Sequence, residues 1–264
     1  MAEALDRPVR VVVHMGFHKT GTTSAQSFLR SNGKHLWPLM ALGLRQQLEP
    51  VLFATRAFST WRDFLSLEKL RLRLTDYLAG LDLGRKRDLL LSSEELAGHM
   101  AGRAGLPDYS AVPEIAQVIE DCLLARFPVA DITFFFSLRA PAAWMKSAWG
   151  EHVKSSRMTL DFDSFAAANP AAANFAPIIE ATQSCLRSPV QTAWLEEMAD
   201  LPFGPATPLL DLMQVPAARR DRLDAARHMN PHRDPAVLDA LLELNRSDMD
   251  DDALRAAKDR LLGR

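Results

Sequence analysis

Arg10-Val11-Val12-Val13-His14 runs directly into Met15-Gly16-Phe17-His18-Lys19-Thr20-Gly21-Thr22-Thr23-Ser24. Three consecutive valines predict a strand. From about Thr23 the pattern turns helical, with Phe28 and Leu29 as apolar positions, and Asn32-Gly33 stops it. A strand that turns through glycines into a helix gathers unpaired backbone N–H groups and the positive end of the helix dipole at one point. Gly16 and Gly21 permit the close approach and positive φ that such a loop demands. Thr20, Thr22, Thr23 and Ser24 add hydroxyl donors, and Lys19 adds a full positive charge. The segment therefore predicts an α/β fold and an anion site together.

Working outward, the next strand is Asp88 to Ser92, in which Leu89-Leu90-Leu91 is apolar throughout, as a strand buried on both faces of a parallel sheet would be. It opens into Ser93-Glu94-Glu95-Leu96. Asp131 to Arg139 is the most strand-like stretch of the chain, and Pro141 opens a helix at its first position, where a missing N–H costs nothing. Helical periodicity covers roughly Trp61 to Leu81 and Pro113 to Phe127. Residues 164 to 177, rich in alanine, asparagine and proline, predict a loop or broken helices. A last strand is expected near Thr207 to Leu212, and two C-terminal helices from Asp234-Pro235 and from about Asp250 to Leu262. Without repeats or linkers, this alternation predicts one α/β domain over residues 1–264, a central parallel sheet flanked by helices.

Composition narrows the function. The chain has 264 residues, 48% hydrophobic and 24% charged, which excludes a disordered protein. Lysine and arginine total 31 against 33 acids, net charge -2, so no global basic field exists for nucleic acid and any anion must be held by a local site. Cys122 and Cys185 cannot build a disulfide framework or a four-ligand zinc site, and are expected as packed thiols. Glu3 and Asp6 precede the short valine run, unlike a signal peptide. The longest uncharged stretch, Ser164 to Ile179, is interrupted by Asn169, Pro170, Asn174 and Pro177 and cannot span a membrane. A soluble, cytoplasmic protein is expected.

Spacing discriminates among phosphate loops. A Walker loop carries its lysine directly after the last glycine, followed by serine or threonine. Here Lys19 lies two residues before Gly21, and the three-glycine dinucleotide fingerprint is absent. Gly16 to Ser24 after an N-terminal strand resembles the 5′-phosphosulfate-binding loop of sulfotransferases, which use 3′-phosphoadenosine 5′-phosphosulfate (PAPS) and release 3′,5′-bisphosphorylated adenosine (PAP). The resemblance implies a P-loop-like sulfotransferase fold, with Lys19, Thr20, Gly21, Thr22, Thr23 and Ser24 around the 5′-phosphate. Ser137-Leu138-Arg139-Ala140-Pro141 with Trp144, Lys146, Ser147 and Trp149 is similar to the family's 3′-phosphate motif. There an arginine ending a central strand and a serine eight residues later, here Arg139 and Ser147, hold that phosphate.

The implied reaction moves a sulfo group to an acceptor hydroxyl or amine on a small molecule or glycan, without a metal. Lys19 is expected to stabilise the leaving oxygen. Glu94 is the first choice of base, matching a Ser-Ser-Glu segment in bacterial relatives of the family; His18 is its rival, with His152 and Glu95 behind. Arg227-His228-Met229-Asn230 is the nearest counterpart of a basic loop that closes over the donor in many sulfotransferases. It lacks the usual glycine and is expected only to connect helices. The five tryptophans are expected mainly in the core. Two other readings stay open: a P-loop kinase using ATP and magnesium with Glu94 as a metal-binding acid, and a catalytically inactive nucleotide-binding protein.

Overall fold

The computed structural model describes residues 7–84, 87–103, 105–225 and 235–263. β1 (Arg10–His14) leads into α1 (Thr22–Ser31), the short α2 (Gly33–Leu36) and β2 (Met40–Gly43). A helical hairpin follows, α3 (Arg45–Trp61) and α4 (Phe64–Ala79), then β3 (Asp88–Ser92) and a 3-10 turn over Glu94–Ala97. α5 (Val112–Arg126) precedes β4 (Asp131–Leu138), and α6 (Pro141–Ser155) carries the chain away from it. Next come α7 (Phe162–Ala168), α8 (Ala176–Cys185), β5 (Val190–Trp194), α9 (Leu195–Met198), α10 (Thr207–Leu212) and α11 (Ala217–Arg220). α12 (Pro235–Arg246) and α13 (Asp251–Leu262) close the sequence of elements.

The five strands pair in parallel in the order β2-β3-β1-β4-β5. The chain builds from β1 toward one edge and then crosses to β4 on the other side of β1. A crevice therefore opens at the carboxyl ends of β3, β1 and β4, the place where open α/β sheets bind ligands. Both faces of the sheet are covered, which is why β1 and β3 read as unbroken apolar runs. Val11, Val13, Leu89 and Leu91 face a core shared with α3, α4, α5 and α6. Val12, Leu90 and Phe135 face Ala25, Phe28 and Leu29 of α1 and Leu209 and Leu210 of α10. The result is a single α/β domain with helices on both sides of a parallel sheet.

Several local expectations are corrected. Thr207 to Leu212 is helix, not strand: Pro208 sits in its first turn and Leu209 and Leu210 are buried against β1 and α1. So short a segment, Thr-Pro-Leu-Leu-Asp-Leu, carries no period of its own, so packing decided it. The fifth strand is instead Val190–Trp194, a short, largely exposed edge strand that the sequence reading passed over. The helical stretch from Trp61 divides: α3 ends there, Arg62 turns left-handed at φ 52, and Asp63 caps α4 by accepting from Ser66 N–H. β2 and most of α3, with Pro50 inside it, give no sequence signal. Residues 164 to 177 hold most of α7, capped by Asp161, and the start of α8.

Among the described residues no helix is long and apolar enough to cross a membrane. Both cysteines are free thiols, Cys122 buried and Cys185 half-buried. Trp144 and Trp149 join the core, whereas Trp37, Trp61 and Trp194 are exposed.

Two polar anchors fix elements that frame the crevice. The C-terminus of α6 is capped from outside: Lys258 Nζ donates to the carbonyls of Val153 (2.8 Å) and Ser156 (2.7 Å), and Asn245 donates to those of Val153 (2.9 Å) and Met158 (2.8 Å). Glu120, 1% exposed, accepts from the backbone N–H groups of Arg187 (3.1 Å) and Ser188 (2.7 Å) and so sets the entry into β5. Glu120→Ala removes the buried acceptor of those N–H groups and is expected to lower unfolding free energy by about 2–3 kcal/mol in urea titration. A loss below about 0.5 kcal/mol would contradict that anchoring role.

Candidate active site

The loop between β1 and α1 leaves the sheet with Met15 N–H on the Phe135 carbonyl (3.0 Å). It crosses the strand ends so closely that a Cβ on Gly16 would lie 2.2 Å from Ser137 Oγ and 2.6 Å from Thr22 Oγ1. Lys19, at φ 67, and Gly21, at φ 97, both adopt left-handed backbone. For a lysine this conformation costs energy and persists only where the surroundings impose it.

The surroundings act on three consecutive carbonyls. Phe17 O accepts from the Thr20 hydroxyl, His18 O from Trp144 Nε1–H (2.6 Å) and Lys19 O from Arg139 Nη1 (3.2 Å). In a trans peptide the N–H points opposite to the C=O. Tying these carbonyls back therefore turns the amides of residues 18 to 20 the other way. Among the described residues, the backbone N–H groups of residues 19 to 23 have no backbone acceptor, while that of His18 faces the Tyr109 hydroxyl. Gly21, the N-cap of α1, offers no side-chain cap, and the first turn holds no acid. Thr22 Oγ1 is buried, in a residue 3% exposed, and has no partner. Unpaired amides, an uncompensated helix N-terminus and a stranded hydroxyl make a nest for an oxyanion.

The charged groups expected from sequence gather around this nest. Lys19 Nζ pairs with Glu151 on α6 (3.1 Å), and Lys154 holds the same carboxylate oxygen (2.6 Å). Burial pushes the Glu151 carboxyl up, but the hydrogen bond from Lys154 and the charges of Lys19 and Lys154 outweigh it and hold it at about 2. Arg139 is half-buried below the loop; burial lowers its pKa and nearby Glu196 opposes that shift. Ser147 lies half-buried on α6, one turn before Glu151. Thr20 is fully buried, Thr23 exposed and Ser24 half-buried.

No protein-family model matches the chain, and no curated protein matches it.

The candidate bases separate clearly. Glu94 Oε2 accepts from Gln26 of α1 (3.1 Å), which leaves Oε1 for another partner. Burial raises its carboxyl above the ordinary range, and the charge of Glu95 adds to that, so it gains proton affinity. Glu95, by contrast, is held by Arg56 (2.5 Å) and Arg45 (3.4 Å) and braces the 3-10 turn against α3. His152 is buried, with Nε2 on the Ala101 carbonyl (3.1 Å) and its ring on Phe165, so it belongs to the packing behind α6. His18 keeps a place at the site, with Nδ1 on Tyr109 Oη (3.2 Å). Burial, reinforced by nearby positive charge including Lys19, holds it below the ordinary histidine range, so the ring is neutral at pH 7.

Sequence reasoning missed Glu151, Gln26, Tyr109 and Trp144, whose roles come from contacts distant in the chain. Glu151 carried one usable signal, four residues after Ser147 and so on the same face of α6. The segment Arg227 to Asn230 lies outside the described residues.

Glu151 also gives a pH test. Its folded pKa of about 2 lies below the ordinary 4.5, so the carboxylate's stabilisation is fully present above about pH 4.5 and fades as pH falls toward 2. Glu151→Gln is therefore expected to shift the urea midpoint downward at pH 7 and by much less at pH 3. An equal shift at both would remove the ion pair as its cause.

Proposed function

We propose that the chain is a sulfotransferase of P-loop-like fold that uses PAPS and moves its sulfo group to an acceptor hydroxyl or amine. One observation carries the proposal: a loop whose carbonyls are tied back, leaving its amides and the Thr22 hydroxyl unsatisfied beside Lys19 and Arg139. That donor set fits a phosphate group better than any neutral ligand. Lys19 before Gly21, rather than after it, favours the sulfo donor over a nucleoside triphosphate.

PAPS when bound supplies an activated sulfo group and a leaving 5′-phosphate. The loop amides, Thr22, Thr23 and Ser24 hold that phosphate, and Thr20 acts from beneath by shaping the loop. Lys19, moving off Glu151, offsets the negative charge that develops on the leaving oxygen. The guanidinium of Arg139, with donors beyond the one on Lys19 O, and the Ser147 hydroxyl suit a second phosphate. Glu94 takes the acceptor's proton at Oε1, its other oxygen being held by Gln26.

The test is calorimetric binding of PAP, beside ATP with magnesium, to wild type and Arg139→Ala. Metal-free binding of PAP, weakened at least tenfold in Arg139→Ala, is the expected result. Preference for ATP with magnesium would replace the proposal by a kinase, and binding of neither would overturn it.

The roles divide further. Lys19→Ala is expected to slow transfer by about 10²–10³-fold with a smaller loss of PAP affinity. Glu94→Gln should preserve PAP affinity and slow transfer by about 10²-fold or more. An unchanged rate in Glu94→Gln would move the proton to His18.

A further inference from the structure

Beneath the loop lies a row of buried polar side chains that no step above uses. His14 ends β1, Ser92 ends β3 and Ser137 is next to last in β4. All three lie on the α1 side of the sheet, each two residues beyond a core residue of that face: Val12, Leu90 and Phe135. His14 Nδ1 meets Ser92 Oγ at 2.9 Å and His14 Nε2 meets Ser137 Oγ at 3.2 Å. Ser137 Oγ meets Thr20 Oγ1 at 2.7 Å, and Thr20 bonds the Phe17 carbonyl. Exposure is 1% at His14 and 2% at Ser137, and zero at Ser92 and Thr20.

We infer that His14 is a positioning residue, the link through which the ends of β3 and β4 hold the Phe17–Thr20 turn in its anion-binding shape. Its functional meaning rests on the reading of the loop given under Proposed function.

The protons in this chain can be assigned. A carbonyl only accepts, so the Thr20 hydroxyl proton is committed to Phe17 O. The Ser137 hydroxyl must then donate to Thr20 Oγ1, and His14 must donate to Ser137 from Nε2. Burial pushes His14 down to about 3, so the ring is neutral and carries one proton. Nδ1 is therefore the acceptor, and Ser92 donates to it. All four bonds are satisfied in one direction only, from Ser92 to the loop. Gly16 lets this row pass directly below the loop, since a Cβ there would lie 2.6 Å from His14 Nε2. An apolar row would fill the same face, because Val12, Leu90 and Phe135 already surround it. Burying four polar side chains instead is unfavourable unless their bonds are used. The chain also joins the loop to Ser92, two residues before Glu94.

The decisive variants replace one bond at a time. In His14→Gln the side-chain amide reaches the Nε2 position and can keep the Ser137 bond. In His14→Asn it reaches only the Nδ1 position and keeps Ser92, and His14→Leu keeps neither. Backbone nitrogen-15 order parameters of residues 17–22 in the ligand-free protein are the first readout, and PAP affinity the second. His14→Leu and His14→Asn are expected to lower the loop's order parameters from about 0.85 to below about 0.6, with α5 unchanged, and to weaken PAP tenfold or more. His14→Gln is expected to restore most of both.

A purely packing role predicts the reverse order, with His14→Leu best tolerated, and that order would overturn the inference. If His14→Leu does not fold, Ser137→Ala breaks the same chain with a smaller change and should loosen residues 17–22 in the same way; an unchanged loop there would overturn it. Nitrogen-15 shifts of His14 should show a protonated Nε2, and a protonated Nδ1 would contradict the assigned direction. Failure of the wild type to bind PAP would refute the sulfotransferase proposal, while the order parameters would still decide the role of His14.

Discussion

Backbone carbonyls compete with anions for backbone amides. A seven-residue connection from Met15 to Gly21 left to itself would close some of its own turns and quench its donors. Here Thr20, Trp144 and Arg139 take the carbonyls of Phe17, His18 and Lys19 in succession. What remains, among the described residues, is a run of amides from Lys19 to Thr23 without a backbone partner, and this single constraint explains much of the surrounding structure. It accounts for the left-handed lysine, for glycine at positions 16 and 21, and for a half-buried arginine that spends a donor on the main chain.

Because two of those tethers come from the segment after β4, the position of α6 becomes critical. α6 brings Trp144 and Glu151 to the loop, with Lys154 behind Glu151, while the 3-10 turn after β3 carries Glu94. Its far end would be free to tilt were Lys258 and Asn245 not fastened to its last carbonyls. The C-terminal helices thus act on the site through α6. Their contribution is rigidity, which an anion nest needs because its donors lose strength steeply with misalignment.

The carboxylates near the crevice have been sorted by their partners. Glu95 is held by two arginines and Glu151 by two lysines, whose charges keep the Glu151 carboxyl low. Glu94 faces only an amide at hydrogen-bonding distance and is desolvated. Adjacent residues of the same type thereby acquire opposite chemical characters. The resemblance at Ser92-Ser93-Glu94 favoured Glu94, but the physical cause of the difference lies in arginines of α3, a helix without a readable signal.

The sequence alone determined whatever depends on residues close together in the chain. Valine and leucine runs marked β1 and β3, Pro141 marked the start of α6, and glycines with hydroxyls and Lys19 marked an anion loop. Those signals are local because secondary structure and turns are local. Only the tertiary structure decided the edge of the sheet, where the short, exposed Val190–Trp194 became a strand and Thr207–Leu212 a helix. It alone placed Glu151 on Lys19, withdrew His152 and Glu95 from the list of bases, and drew His14, Ser92 and Ser137 into one chain. Each of those outcomes joins residues from different strands or helices through a few ångströms of space, and a hydrogen bond across such a gap leaves no periodic trace in the order of the amino acids.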